Sequence, residues 1–299
     1  MSNFPLVELI IVLTVACSIV GFRNPAFRER YLFSTWGILG GHQYERLFTS
    51  ALLHGGWLHL GVNMYVLWMF GKIIETLPAG GRIFLGIYLV SILGGSLLSL
   101  YLHRNHPGYR ALGASGGTSG IVFAYIFLIP GGWLTMFIPI PVSMPAWVFA
   151  IAYLIFSMYG IRANADNIGH DAHLGGALGG LLMTIFIYPK VLVEQTALFL
   201  AVCVLVAAFI AFNRAVPEGY TMKESAGYLK SRWKKRQKVR EEVSAEKEEV
   251  RMNQLLDRIS ADGIGSLSQR EKDELSRLAA RKKEREDAAR RSPDRWRRQ

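Results

Sequence analysis

The chain has 299 residues, of which 51% are hydrophobic, and it carries a formal net charge of +11. Several apolar runs are long enough to cross a bilayer, which excludes an ordinary soluble domain and predicts a multi-span membrane protein. Residues 1–213 hold 10 Lys/Arg and 7 Asp/Glu, whereas residues 214–299 hold 24 and 16, so the basic character belongs to a tail.

The hydrophobic pattern predicts seven membrane spans. The first has no Lys or Arg before it and no small-residue cleavage site after it, so we interpret it as a retained span rather than a signal peptide. A partly apolar connection over residues 22–56 is expected to lie on or in the membrane face. The predicted spans cover residues 6–21, 57–74, 83–102, 113–129, 146–161, 170–188 and 197–212.

Beyond residue 213 the sequence becomes highly charged. Ser268 and Glu271 form a capping box, which predicts a helix start. A basic segment beside a membrane most simply contacts anionic lipid headgroups, and no nucleic-acid partner is expected because acids are mixed with the bases. Helices are expected over residues 222–258 and 269–286, with a break between them and disorder over 287–299.

Three of the predicted spans carry ionisable or strongly polar groups, which are costly in a membrane and are therefore candidates for function. Each polar set lies at the N-terminal end of its span. The three spans run in the same direction if every intervening segment crosses once, so the sets fall at similar depth near one membrane face. They are His54, His59 and Asn63; Gly113, Ala114, Ser115 and Gly116; and His170, Asp171 and His173.

These residue types suit nucleophilic catalysis. A histidine beside Ser115 would take the hydroxyl proton and later deliver it to the leaving group. Ser115 also begins a helix, where free backbone N–H groups can bind a developing oxyanion. His59 and Asn63 are four residues apart, hence on one helical face, and could add side-chain donors.

Small residues repeat every four positions on two of these spans. Gly116 and Gly120 share one face of the fourth span, and Gly176 and Gly180 share the face of the sixth that carries His173. Such stripes let helix backbones approach closely in lipid. Close approach is what a hydrogen bond between Ser115 and His173 requires.

Three motifs together resemble the rhomboid proteases. The segment 46–54, followed by His59, Asn63 and Gly71, resembles their first loop and second helix. Residues 113–116, Gly-Ala-Ser-Gly, resemble their GxSG nucleophile motif, and residues 172–176, Ala-His-Leu-Gly-Gly, resemble their terminal-helix histidine motif. The resemblance covers about residues 6–189. It departs from many relatives at Glu45, where they carry tryptophan before the arginine.

The resemblance implies an all-α, polytopic helix bundle with a six-helix protease core over residues 1–189. The remaining sequence adds a seventh transmembrane helix over 190–213 and a basic, largely helical, partly disordered tail over 214–299. Transmembrane proteins would be the substrates, cut near their outer end from the extracytoplasmic side of a bacterial inner membrane, without cofactor or metal. The implied roles are Ser115 as nucleophile, His173 as base, His59, Asn63 and the Ser115 amide as oxyanion hole, and His54, Gly113, Gly116 and Gly176 in support.

Other functions stay open at the level of sequence. Ser115 could serve only as a helix cap, and Ser119, one turn further on, is a rival nucleophile. A metal site at His170, Asp171 and His173 is disfavoured because no HExxH motif is present. An aspartyl protease would need a second carboxylate facing Asp171. A catalytically inactive rhomboid-like binding or quality-control protein, and a transporter, are the remaining alternatives.

Membrane orientation is also open. A cytoplasmic N-terminus with six spans would return the basic tail to the cytoplasm, as the positive-inside rule prefers, whereas a seventh span would place it outside. Arg23, Arg28 and Arg30 follow the first span and fit poorly with a cytoplasmic N-terminus.

Overall fold

The computed structural model describes residues 5–137, 141–163, 168–216 and 222–291, in two compact units, Met1–Pro217 and Glu218–Gln299. The first unit is a helix bundle, which confirms the predicted all-α, polytopic fold. Its helices are α1 (Leu6–Arg23), α2 (Pro25–Tyr31), α3 (Thr35–Leu39), α4 (Arg46–Thr49), α5 (Trp57–Glu75), α6 (Gly80–Leu102), α7 (Ser115–Leu128), α8 (Ala146–Ala163), α9 (His170–Ile187), α10 (Val191–Glu194) and α11 (Thr196–Ala215).

Four of the described helices, α1, α6, α8 and α11, are long and apolar enough to cross a membrane. Helices α5 and α9 have 19 and 18 residues but carry the polar groups noted above. Helix α7 has only 14 residues, or about 21 Å at 1.5 Å per residue, against about 30 Å for a hydrocarbon core. Its residues from Gly116 to Phe127 are all buried, so the neighbouring helices shield this short segment from lipid.

The long helices alternate in direction, and contacts between their ends fix this arrangement. The Glu75 carboxylate, at the end of α5, accepts the backbone N–H of Leu6 at 2.8 Å, at the start of α1. Arg162, near the end of α8, donates to Asn213 Oδ1 at 3.3 Å, near the end of α11. We call the end of the bundle where α7 begins the Ser115 end. Helices α5, α7 and α9 start there, and α1, α6, α8 and α11 finish there.

Helices α7 and α9 pack backbone against backbone, which confirms the close approach predicted from the glycine stripes. A side chain at Gly176 would collide with the carbonyl group of Gly116, and one at Gly180 would collide with the backbone of Gly120. Helix α6 packs against α9 in the same way, because a Cβ on Gly95 would lie 2.6 Å from the carbonyl oxygen of Ala172. The helix carrying Ser115 and the helix carrying His173 are therefore directly adjacent.

The connections contain short strands that the sequence pattern did not predict. Strand β1 (Phe33–Ser34) pairs antiparallel with β2 (Arg110–Ala111), and this pair joins the α1–α5 connection to the α6–α7 connection. Strands β3 (Trp133–Phe137) and β4 (Pro141–Pro145) pair antiparallel between α7 and α8. The prolines of β4 are tolerated because each strand of a two-stranded pair is an edge strand.

The second unit contains two helices, α12 (Met222–Asp262) and α13 (Gln269–Arg291), which meet through ion pairs such as Arg251–Glu274 at 3.0 Å. The capping box at the start of α13 is confirmed, because the Ser268 backbone N–H donates to Glu271 Oε2 at 2.8 Å. Both helices end later than predicted. The expected disorder over 287–299 is wrong for 287–291, which continue α13, and residues 292–299 lie outside the described part of the chain.

Candidate active site

Ser115 is the first residue of α7, and the backbone before it demands glycine. Gly113 has a φ of 135°, a conformation that side-chain-bearing residues rarely adopt. A Cβ at this position would also lie 2.8 Å from Cε1 of the His59 ring. The Gly113 N–H donates to the carbonyl oxygen of Ser50 at 3.0 Å, which ties this turn to the α1–α5 connection.

His54 supports the turn through a hydrogen-bond chain that determines its tautomer. Its Nε2 accepts the backbone N–H of Ala114 at 3.2 Å, so the proton resides on Nδ1, which lies 3.0 Å from Ser18 Oγ. Ser18 in turn donates to the carbonyl oxygen of Leu52 at 3.0 Å. Burial, and secondarily the neighbouring His59, lower the pKa of His54 to about 3. The side chain is therefore neutral and acts as an acceptor for the backbone directly before Ser115.

His59 and Asn63 approach the start of α7 from α5. The His59 ring packs edge-on against His54 at 4.9 Å between ring centroids and lies over Gly113. Asn63 is buried, accepts the Thr118 hydroxyl at Oδ1 over 3.2 Å, and donates from Nδ2 to the carbonyl oxygen of His59 at 2.9 Å. An amide nitrogen carries two hydrogens, so these bonds leave one for another acceptor.

His173 lies in the first turn of α9, next to the tightest helix contact. A Cβ on Gly116 would lie 3.2 Å from the carbonyl oxygen of Ala172, so the residue after Ser115 packs against the residue before His173. The His173 ring lies over the ring of Tyr153 from α8, with 6.1 Å between centroids and 22° between planes. The structure thus brings Ser115, His59, Asn63 and His173 to one end of the bundle.

The two serines of α7 have different surroundings. Ser119 is buried, donates to the carbonyl oxygen of Ser115 at 2.6 Å, and is hydrogen-bonded to the hydroxyl of Tyr153. Within the described residues, the Ser115 hydroxyl forms no hydrogen bond, to His173 or to any other group. Catalytic hydrogen bonds are often long in the absence of substrate and tighten when it binds.

Asp171 belongs to a different polar cluster, between the start of α9 and the α6–α7 connection. Its buried carboxylate accepts the Tyr109 hydroxyl at 3.1 Å and lies 3.2 Å from His103 Nε2. Burial and the facing Asp171 carboxylate raise the pKa of the Tyr109 hydroxyl, so it remains a donor. His170 instead packs against Phe156 and Gly160. No group of three or more His, Cys, Asp or Glu among the described residues is arranged to hold a metal ion.

Sequence reasoning missed several of these partners. Ser18 is a polar residue in an apolar span, so the rule that such residues are functional candidates could have identified it. Tyr153 reads as one more aromatic residue of a membrane helix, and Tyr109 lies in a loop whose path no pattern predicts. Neither residue carries a local signal for its contact with α9.

Comparison with known proteins identifies the family. The Rhomboid domain model matches residues 41–190, half of the chain, and this range contains all the candidate site residues. The chain belongs to the rhomboid family. It is therefore an integral, multi-pass membrane protein of a family that includes intramembrane proteases.

Curated relatives cover both named proteases and proteins named only for their family. The chain is 35% identical over 136 residues to Rhomboid protein 1, mitochondrial, of Saccharomyces cerevisiae, covering 44% of this chain and 39% of the relative. It is 33% identical over 147 residues to RHOMBOID-like protein 6, mitochondrial, of Arabidopsis thaliana, covering 49% and 44%. It is 30% identical over 138 residues to Rhomboid protease GluP of Bacillus subtilis, covering 46% and 25%. The chain thus spans less than half the length of each of these relatives.

Proposed function

We propose that this chain is an intramembrane serine endopeptidase that cleaves transmembrane protein substrates near the membrane surface. The observation that supports this most directly is the contact between Gly116 and Ala172, which makes the neighbours of Ser115 and His173 pack together. A serine and a histidine at the starts of two parallel, touching helices form the minimal arrangement for nucleophilic catalysis.

In the proposed reaction His173 acts as general base. It takes the proton of the Ser115 hydroxyl as Oγ attacks the scissile carbonyl carbon, and it returns that proton to the leaving amine when the peptide bond breaks. Water then attacks the acyl-enzyme ester with His173 again as base, which releases the second product and restores the serine hydroxyl. Tyr153 would hold the imidazole plane by stacking.

The oxyanion formed in each attack needs donors placed in advance. The first backbone N–H groups of α7 lack partners within the helix, so the Ser115 N–H is available by position. The His59 ring lies over Gly113, and Asn63 retains a second amide hydrogen. These groups converge on the start of α7, and we propose that they bind the oxyanion together.

His54 and Gly113 support the proposed site without touching the reacting atoms. Gly113 makes room for His59, and His54 holds the Ala114 N–H in the turn before Ser115. Gly116 and Gly176 keep α7 and α9 in contact. All four would therefore position catalytic groups.

The test is cleavage of a model transmembrane substrate by the purified full-length protein in lipid. We expect Ser115→Ala and His173→Ala to abolish cleavage and to prevent labelling by a fluorophosphonate probe. Ser119→Ala is the matched control, because it removes a neighbouring buried hydroxyl. It should retain both substrate cleavage and labelling by the probe. Cleavage by Ser115→Ala at the wild-type rate would refute the proposal. Substrate binding without cleavage by the wild type would instead favour a catalytically inactive member of the family.

We further propose that the protein resides in a bacterial inner membrane, because one relative, Rhomboid protease GluP, is a protein of the bacterium Bacillus subtilis. Relatives named as mitochondrial and chloroplastic make organelle membranes the competing location. Fractionation of the native cell with an antibody to residues 222–291 decides between them, and recovery from an organelle would overturn this assignment.

A further inference from the structure

Charge is distributed unevenly along α12. We name residues 228–240 the cationic segment: it contains seven Lys or Arg residues, and no acid occurs between Glu224 and Glu241. The later part of α12, residues 241–262, contains seven Asp or Glu residues. The mixture of charges within α12 is therefore an average over two different parts of the helix.

The acids of the second half are matched by cations of α13. Glu248 pairs with Arg281 at 2.9 Å, and Glu249 pairs with Lys282 at 2.8 Å. Arg258 of α12 pairs with Glu271 of α13 at 2.6 Å. Buried Met252 and Leu255 mark the same half as the part of α12 that packs. Among the described residues, these ion pairs therefore join α13 to the part of α12 that follows the cationic segment.

The cationic segment itself is highly exposed. Its Lys and Arg side chains are all exposed, and Trp233 and Val239 are 61% and 49% exposed. Lys238 lies 3.9 Å from Glu242, at the edge of ion-pair distance, and both side chains are mostly exposed to water. Cations spaced over positions 230–240 of a helix surround it on all sides, so no single apolar face is formed. Attraction to a partner would be electrostatic, with Trp233 as an interfacial aromatic residue.

The chain length limits how far from a membrane span α12 can start. Helix α11, which ends at Ala215, is one of the four helices apolar enough to span a membrane. Met222 starts α12 seven residues later, and seven extended residues reach at most about 25 Å. Clusters of four to eight Lys/Arg directly beside a transmembrane helix attract anionic headgroups with about 1 kcal/mol per charge.

We propose that the cationic segment is a binding surface for anionic lipid headgroups at the membrane face where α11 ends. This inference does not depend on the proposed proteolysis. It predicts a salt-sensitive contact that requires anionic lipid and lies in residues 228–240 rather than in α13.

The experiment uses the full chain in nanodiscs, with Cys17 and Cys203 replaced by serine. Ser231→Cys carries a fluorophore in the cationic segment, and Ser276→Cys carries it at an exposed position of α13. Quenching by headgroup-labelled lipid reports proximity to the bilayer. We expect quenching at position 231, and not at 276, when phosphatidylglycerol replaces part of the phosphatidylcholine. About 1 M salt, with a screening length near 3 Å, should abolish it.

Two triple variants separate position from net charge. The first variant carries Lys234→Gln, Lys235→Gln and Lys238→Gln. It should lower the ratio of membrane-bound to free segment about 100-fold, at about fivefold per charge. The second variant carries Arg270→Gln, Arg277→Gln and Lys283→Gln, which remove the same amount of charge from α13. It should change the ratio of membrane-bound to free segment little. Equal quenching in pure phosphatidylcholine, or equal loss in both variants, would overturn the proposal. A response to an RNA oligonucleotide but not to anionic lipid would assign the surface to nucleic acid and overturn it as well.

Discussion

His54 shows how one neutral imidazole can stabilise a turn. It accepts the Ala114 N–H with Nε2 only while that nitrogen is unprotonated, and protonation would remove the acceptor. Its pKa is lowered from 6.5 to about 3 in the fold. The residue directly before the proposed nucleophile therefore depends on a histidine that has no role in the proton transfers.

This shift predicts a pH dependence of stability. In the unfolded chain His54 takes up a proton near pH 6.5, whereas in the fold it does so only near pH 3. The unfolded state therefore binds more protons between these values, and the fold loses stability as the pH falls from about 6.5 towards 3. Above pH 6.5 this contribution is constant. Denaturant unfolding in detergent at several pH values measures the slope.

The matched variants are His54→Gln and His42→Ala. Glutamine can accept the Ala114 N–H but does not titrate, so His54→Gln should flatten the pH dependence below 6.5. His42 lies exposed in the same α1–α5 connection, and its replacement controls for the loss of a histidine from this segment. An unchanged slope in His54→Gln would show that other groups cause the pH dependence.

At the scale of helices, contact between α7 and α9 depends on glycines, which have no side chain to separate the two backbones. Gly176→Ala should push α7 and α9 apart, at a cost of about 1–3 kcal/mol of unfolding free energy and a large loss of cleavage rate. Gly61→Ala on α5 is the control, because no atom lies within 4 Å of a Cβ built there. Alanine at that position should be neutral or stabilise the helix by up to about 1 kcal/mol.

Thermal or denaturant unfolding and the cleavage assay provide the measurements. If Gly176→Ala and Gly61→Ala had the same effect on stability and on cleavage rate, helix packing at Gly176 would not control the site. Ser115 itself is unchanged in both variants. A loss of cleavage rate in Gly176→Ala alone would therefore result from a larger distance between α7 and α9.

The sequence predicted these helices and the candidate residues on them because bilayer thickness and glycine spacing act locally along the chain. It predicted a fourth span over residues 113–129, whereas α7 covers only Ser115–Leu128, mainly because Gly113, with a φ of 135°, lies in the turn before the helix. It did not predict β1 pairing with β2, or Tyr109 reaching Asp171, because each contact joins a loop to a segment distant in sequence. Contacts within one helix follow from periodicity, whereas contacts between loops require the whole fold.

At the scale of the whole molecule, charge is asymmetric across the bundle. Residues 1–216 contain eleven Lys or Arg residues, and eight of them lie at the Ser115 end. Cytoplasmic loops carry the excess of Lys and Arg in membrane proteins. The eight are Arg23, Arg28, Arg30, Arg46, Arg104, Arg110, Arg162 and Arg214, and the other three are Lys72, Arg82 and Lys190.

This asymmetry predicts that the Ser115 end faces the cytoplasm when the protein is made in a bacterial inner membrane. The prediction is opposite to the orientation that the family resemblance implies. Green fluorescent protein fused after Gln299 should fluoresce, and alkaline phosphatase fused after Glu194, between α9 and α11, should be active. The reverse pattern would show that the Lys/Arg bias does not set the orientation.

The end of α11 beside Arg162 has a consequence for the fate of products. We expect α1, α5, α6, α7, α8, α9 and α11 all to cross the membrane, and an odd number of crossings would bring the chain out of the bundle at the Ser115 end. We predict that a fragment released from a substrate at that end would enter the compartment into which the chain emerges after α11. Any soluble factor that recognises the charged helices α12 and α13 would therefore encounter the freshly released fragment without crossing a membrane.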